Sequence, residues 1–248
     1  MRGAGAPPCA AKARSPNAHW VYTGTVFRLD HRGRTAGGRP VITERGLVAT
    51  RQGIDALREQ RHAEAVRRGL GQAASALVLG DGAVWLGRPA DDRFPQARQR
   101  LDFDHAMHHL AAVGRALFGE DKEKFTAWLK PLVKQLKNES ARKVIRQLED
   151  ALAALPGGAS AGTVAKEVAC FHAHQARMDY RAGRRAGEPI GSGAVEATCR
   201  QTQCRFKRPG QFWRQSGDEA PMCLETFWRN GRWHLLFPHS SLLNPARN

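Results

Sequence analysis

Between Gly187 and Trp213 the chain reads GEPIGSGAVEATCRQTQCRFKRPGQFW. After Glu188, Glu196 is the one acid before Asp218, and Arg200, Arg205, Lys207, Arg208 and Arg214 all fall between Glu196 and Asp218. On a helix, Glu196, Arg200, Gln203 and Lys207 fall on one face, because residues three and four apart are neighbours. A carboxylate beside phosphate-binding cations is the arrangement that Mg²⁺-dependent phosphoryl transfer needs: the acid holds the ion and the cations hold the phosphates. The partner acid would be Asp81, which closes the apolar run ASALVLG and precedes Gly82. Ligands of open α/β sheets gather beyond the carboxyl ends of strands, so this reading puts Asp81 at a strand tip. Asp81 and Glu196 are therefore the candidate metal ligands and catalytic acids, with Asp102 as the rival of Asp81. Plainer roles stay open. An Asp before Gly commonly makes a turn, and Glu196 with Arg200 can be a surface ion pair worth roughly 0.2–0.5 kcal/mol.

The segment from Arg200 to Trp233 interleaves cations with Phe206, Phe212, Trp213, Trp228 and Trp233. Cations neutralise phosphates and rings stack on unpaired bases, so Arg200, Arg205, Lys207, Arg208 and Arg214 are candidate DNA-binding residues. Phe227 and Trp228 lie in the helical stretch MCLETFWRN and are expected to fill a core, with Arg229, Asn230 and Arg232 capping or clamping its end. His105, His108 and His109 fit either a catalytic cluster or packing and capping groups. Cys170, His172 and His174 alternate, and alternate residues on a helix do not share a face, so no zinc set is expected from them.

These side chains sit in a strongly basic chain. It has 248 residues, 42% of them hydrophobic, and a net charge of +16. That is enough apolar content for one large domain or two small ones, and the field attracts polyanions. Five cysteines without a C-x-x-C pair suit a reducing compartment rather than a disulfide framework. No apolar run reaches the length of a membrane span, and a cytoplasmic location is expected. Residues 1–18, rich in Gly, Ala, Pro and Arg, are expected to form a disordered tail.

The elements that must position the acids follow from periodicity. Trp20–Leu29 and Val41–Thr50 are predicted to be strands paired as a hairpin. Ile54–Leu70 has helical spacing, with Gly69 and Gly71 as stops. ASALVLG and RQRLDFDH are short strand candidates. Phe125–Leu136, Val144–Leu152 and Val164–Met178 then carry helical faces, with a bend expected before Pro131. A further helix is expected from about Gly193, capped by Ser192. Antiparallel strands followed by strand–helix–strand units predict an α/β mixed sheet and then a helical region.

Three blocks resemble the DDE transposases of bacterial insertion sequences of the ISKra type: VLGDGAVWLGRPADDRFPQARQRLDFDHAMHHL, PIGSGAVEATCRQTQCRFKRPGQFW and LETFWRNGRWHLLFPH. The likeness spans about Trp20 to His239. It implies an RNase H-like core over 19–104, a helical insertion over 105–186, and a final catalytic helix with a basic C-terminal region over 187–248. It also implies Mg²⁺-dependent cutting of transposon ends and transfer of the 3′-hydroxyl into target DNA. By this resemblance Asp81 is the second acid and Glu196 the third, with Asp102 in reserve. The family's first acid lies on an opening strand, and MRGAGAPPCAAKARSPNAHW stands in its place. The resemblance therefore implies a core without its first strand, truncated at the N-terminus, with little cleavage of its own. The alternative is a non-catalytic, basic DNA-binding remnant. DNA is the expected partner, self-association is left open, and no membrane is involved.

Overall fold

The computed structural model describes residues 21–38, 40–80, 93–211, 217 and 219–238. In chain order the elements are β1 Tyr22–Val26, β2 Arg32–Arg34, β3 Pro40–Ile42, β4 Gly46–Thr50, α1 Ile54–Arg67, β5 Leu77–Gly80, β6 Arg98–Leu101 and α2 Phe103–Phe118. Then come α3 Lys122–Asn138, α4 Ala141–Ala153, α5 Gly158–His174, α6 Tyr180–Arg185, α7 Gly193–Phe206, α8 Glu219–Arg229 and α9 Trp233–Leu236. The described residues divide into two compact units, one of 77–80 and 95–192, the other of 21–76, 93–94 and 193–238.

In the second of these, β1 and β4 pair antiparallel, with Tyr22 opposite Thr50 and Val26 opposite Gly46. The hairpin expected of 20–29 and 41–50 is present, but the second segment breaks at Thr43–Arg45. Its first part, β3, pairs instead with β2. All five residues of β4 are buried, and α1 and α8 pack against that strand. Leu57 and Ala65 of α1 face inward, whereas Val66 is 54% exposed. Gly69, at φ +85°, lets the chain turn away in the left-handed conformation that other residues resist.

In the other unit a short parallel pair, β5 with β6, accompanies a helical bundle. The helices start where short polar side chains accept the orphan amides of a first turn. Asp102 accepts from Asp104 N at 3.0 Å, Asp121 from Lys124 N at 3.0 Å and Ser140 from Arg142 N at 3.2 Å. Leu110 and Val113 of α2, Leu132 and Leu136 of α3, Val144 and Leu148 of α4, and Val164 and Phe171 of α5 make the core. At Gly114 a Cβ would lie 2.8 Å from the Phe125 ring, so only glycine lets α2 and α3 approach this closely. Pro131 sits inside α3 without ending it.

The protein is mixed α and β and mainly helical. One expectation needs correcting. The described strands form three separate two-stranded sheets rather than one mixed sheet. The physical reason is that helices supply the burial: β4 is covered by α1 and α8 instead of by further strands. The expected tail at 1–18 lies outside the described residues.

Candidate functional site

The roll of α7 is fixed by its inner face. Thr198 and Thr202 are buried, and each hydroxyl donates to the carbonyl one turn back, Ala194 O and Thr198 O, at 3.0 Å. Cys199 Sγ lies 2.9 Å from Thr23 Oγ1, tying the helix to β1. With that side turned in, Glu196, Arg200, Gln203 and Lys207 are all exposed. The shared face expected from their spacing is therefore a solvent face carrying one acid and two cations. Arg208 donates from Nε to Cys204 O at 2.9 Å, a cation at the negative end of the helix. Arg205 stands 3.5 Å from Glu225 and 5.8 Å from the Phe206 ring centre. Arg214 lies outside the described residues.

Beside α7 opens a cleft of about 700 Å³, between β4 and its approach, α7 and α8. Arg45, Arg68, Arg205 and Arg229 line it together with Glu44, Glu225 and Trp228. Gln201 Oε1 accepts from Arg45 and from Arg229, each at 3.2 Å, so it orients two guanidinium groups at once. Glu225 holds Arg229 at 2.6 Å. Trp228 is 42% exposed and meets Trp233 edge-on at 5.6 Å. The expectation that Trp228 fills a core is overturned: Met222 is the buried apolar residue of α8, and the Trp228 ring lies on the cleft wall. The expected clamp is real but falls on a strand. Asn230 Oδ1 accepts from Leu47 N at 2.7 Å, and its Nδ2 donates to Leu47 O at 2.9 Å.

Asp102 belongs to the other compact unit. Its Oδ1 accepts from Asp104 N and from Ser192 N, at 3.0 and 3.3 Å, and its Oδ2 accepts from the Ser192 hydroxyl. Asp102 is thus a buried helix cap that also holds the GSG loop. The hydroxyl expected to cap α7 is directed at Asp102. Glu188, at the head of the same loop, pairs with Arg98 and, at 2.8 Å, with Arg100. Those arginines are two apart on β6 and so point to one side of the strand.

Asp81 lies outside the described residues, so its pairing with Glu196 or Asp102 does too. Among the described residues no three His, Cys, Asp or Glu side chains converge in a way that could hold a metal ion. Both oxygens of Asp102 already accept protein hydrogen bonds.

The chain matches no protein-family model, no curated protein and no solved structure. Among the described residues no helix is long and apolar enough to cross a membrane.

Of the three histidines, His108 is exposed and His109 is buried. His109 Nδ1 lies 2.5 Å from Glu167 Oε2, and its Nε2 lies 2.9 Å from His105 Nε2 and 3.7 Å from Cys170 Sγ. His172, by contrast, pairs outward with Glu149 at 2.8 Å. Alternation does separate His172 from Cys170. The signal that sequence reasoning missed is the one-turn spacing within two pairs, His105 with His109 and Cys170 with His174, on helices that pack together. The cleft was missed because Arg45, Gln201 and Arg229 are far apart in sequence and none belongs to a motif.

Proposed function

We propose that this chain binds DNA through the exposed face of α7 and the adjoining arginine–tryptophan cleft, and that it is of ISKra-type DDE transposase descent with an RNase H-like core. The observation that carries the binding reading is the cleft itself: four arginines, two of them oriented by Gln201, beside a half-exposed indole. Guanidinium groups pair with phosphate oxygens and an indole face stacks on an unpaired base. The +16 charge draws the polyanion in. The lineage further implies Mg²⁺-dependent strand cleavage and transfer, with Asp81 and Glu196 as acids. DNA binding is the activity that the described cleft itself supports.

The test is titration of purified protein with labelled single-stranded and duplex DNA over a range of salt. Affinity should fall steeply as salt rises. Arg200→Ala with Lys207→Ala should flatten the logarithmic salt slope by about 1 for each cation that no longer meets a phosphate. Absence of binding at low salt overturns the proposal. The chemical step is checked with Mg²⁺ and DNA. Robust cleavage that Glu196→Gln abolishes would show that this chain cuts DNA as well as binding it.

A further inference from the structure

We propose that Cys170 is a nucleophilic thiolate and a site of oxidative modification by peroxides, with His109 as its proton donor. The arrangement is an ordered chain of three groups across α2 and α5. Cys170 Sγ faces His109 Nε2 at 3.7 Å, and His109 Nδ1 faces Glu167 Oε2 at 2.5 Å. Glu167 and Cys170 are one turn apart on α5, so one helix presents both the thiol and the carboxylate that orients its imidazole. Nucleophile, base and orienting acid within hydrogen-bond reach is the geometry that activates a thiol. Glu167 and His109 are buried, whereas Cys170 is only half-buried. The orienting pair is therefore locked while the sulfur keeps a route to a small reagent.

The groups around the sulfur favour its charged form. His109 faces it from α2, with His105 Nε2 2.9 Å behind the same ring nitrogen, and His174 faces it from one turn along α5, itself held by Arg177 at 2.8 Å. Burial pushes the Cys170 thiol up, but the His109 and His174 imidazoles more than offset this and bring it to about 7. Cys170 and then Glu167 hold the His109 imidazolium, against burial, up to about 10. A thiolate–imidazolium pair then exists between these values. It forms as pH rises through about 7 and is lost as His109 deprotonates near 10.

In the reaction, the thiolate sulfur attacks one oxygen of hydrogen peroxide and the O–O bond breaks. The departing hydroxide takes the Nε2 proton of His109 and leaves as water. Sulfur is oxidised from thiolate to sulfenic acid, peroxide is reduced, and His109 is left neutral with its Nδ1–H donating to Glu167. The loss of charge removes the ion pair between α2 and α5.

The experiment uses the full chain. Alkylation by iodoacetamide is followed site by site by mass spectrometry from pH 5 to pH 10. Cys170 labelling should be half-maximal near pH 7 and, at pH 7, about tenfold faster than for an unperturbed thiol, from the difference in thiolate fraction. Brief hydrogen peroxide followed by dimedone should place the sulfenic-acid adduct on Cys170. His109→Gln, with its fold checked by circular dichroism, should slow both reactions and move the labelling midpoint upward by more than one pH unit. Because His109 is buried, the pH profile of the unaltered chain carries the test even if that variant does not fold. Three results overturn the proposal: a Cys170 midpoint at or above the ordinary thiol value, exposed Cys204 or Cys223 reacting first, or labelling of Cys170 only after a chelator strips a bound metal.

Discussion

Asp102 receives both the backbone N–H and the hydroxyl of Ser192, a residue 90 positions further along the chain. With its cap on Asp104 N, this single buried carboxylate starts α2 and anchors the GSG loop. Asp102→Ala should therefore cost about 2–3 kcal/mol, roughly a lost cap plus a charged hydrogen bond. Ser192→Ala should cost about 1 kcal/mol. Urea denaturation of both and of the double variant should give a coupling of about 1 kcal/mol. Were Asp102 chiefly a metal ligand, its replacement would be neutral or stabilising without Mg²⁺.

Glu188 fastens the same loop by its other end. Its side chain is 8% exposed and lies between Arg98 and Arg100, and Arg100 also donates to Pro189 O at 3.0 Å. Hydrogen bonding from Arg98, with further help from Arg100 and against burial, holds the Glu188 carboxyl below its ordinary value. A folded value below the unfolded one means that this stabilisation is present above the ordinary carboxylate range and is lost as pH falls through the folded value. Glu188→Gln should lower stability at pH 7 and flatten its decline at acid pH. An equally steep acid limb in the variant would refute the assignment.

Much of this was readable in the residues, and the limits have a physical pattern. Val144, Ile145 and Leu148 mark a buried face because helical spacing puts them on one side, and all three lie in the core. The start of α7 at Gly193 was legible for the same local reason. Partners were not. Spacing says that Glu196, Arg200 and Lys207 share a face, but only the inward turn of Thr198 and Thr202 says that it faces solvent. Glu188 has no local neighbour that marks a partner, yet Arg98 and Arg100 of β6 claim it. Trp228 resembles a core residue by type, and only the fold shows its ring on a cleft wall. Long-range pairing decides each of these cases, and a local pattern carries no address for its partner.

Trp228 offers a test that separates surface from core. At 42% exposure its replacement by Ala should change stability by far less than the roughly 3–5 kcal/mol typical of a buried aromatic. If its ring stacks on a base, affinity for single-stranded DNA should fall by about 1–3 kcal/mol, with a smaller loss for duplex. Fluorescence anisotropy and a thermal melt on the same preparation check both. A large stability loss with unchanged DNA affinity would return Trp228 to a packing role.

Glu64 makes the strongest stability prediction. It is 3% exposed on α1 and is met by Arg67 at 2.9 Å and by Arg68 and Arg232 at 3.0 Å. Burial lowers the readiness of Arg232 to carry charge, and the Glu64 carboxylate opposes that loss. Removing one partner from a buried ion set leaves uncompensated charge, so Glu64→Gln should cost about 3 kcal/mol or more. The carboxylate also needs space on β4: a Cβ at Gly46 would lie 2.1 Å from Glu64 Oε1. Gly46→Ala should thus be damaging in the native background but add little once Glu64 is Ala, because the displaced group is gone. Such non-additivity is the signature of residues that touch. Additive losses in a denaturation cycle would show that Gly46 is required for some reason other than room for this carboxylate.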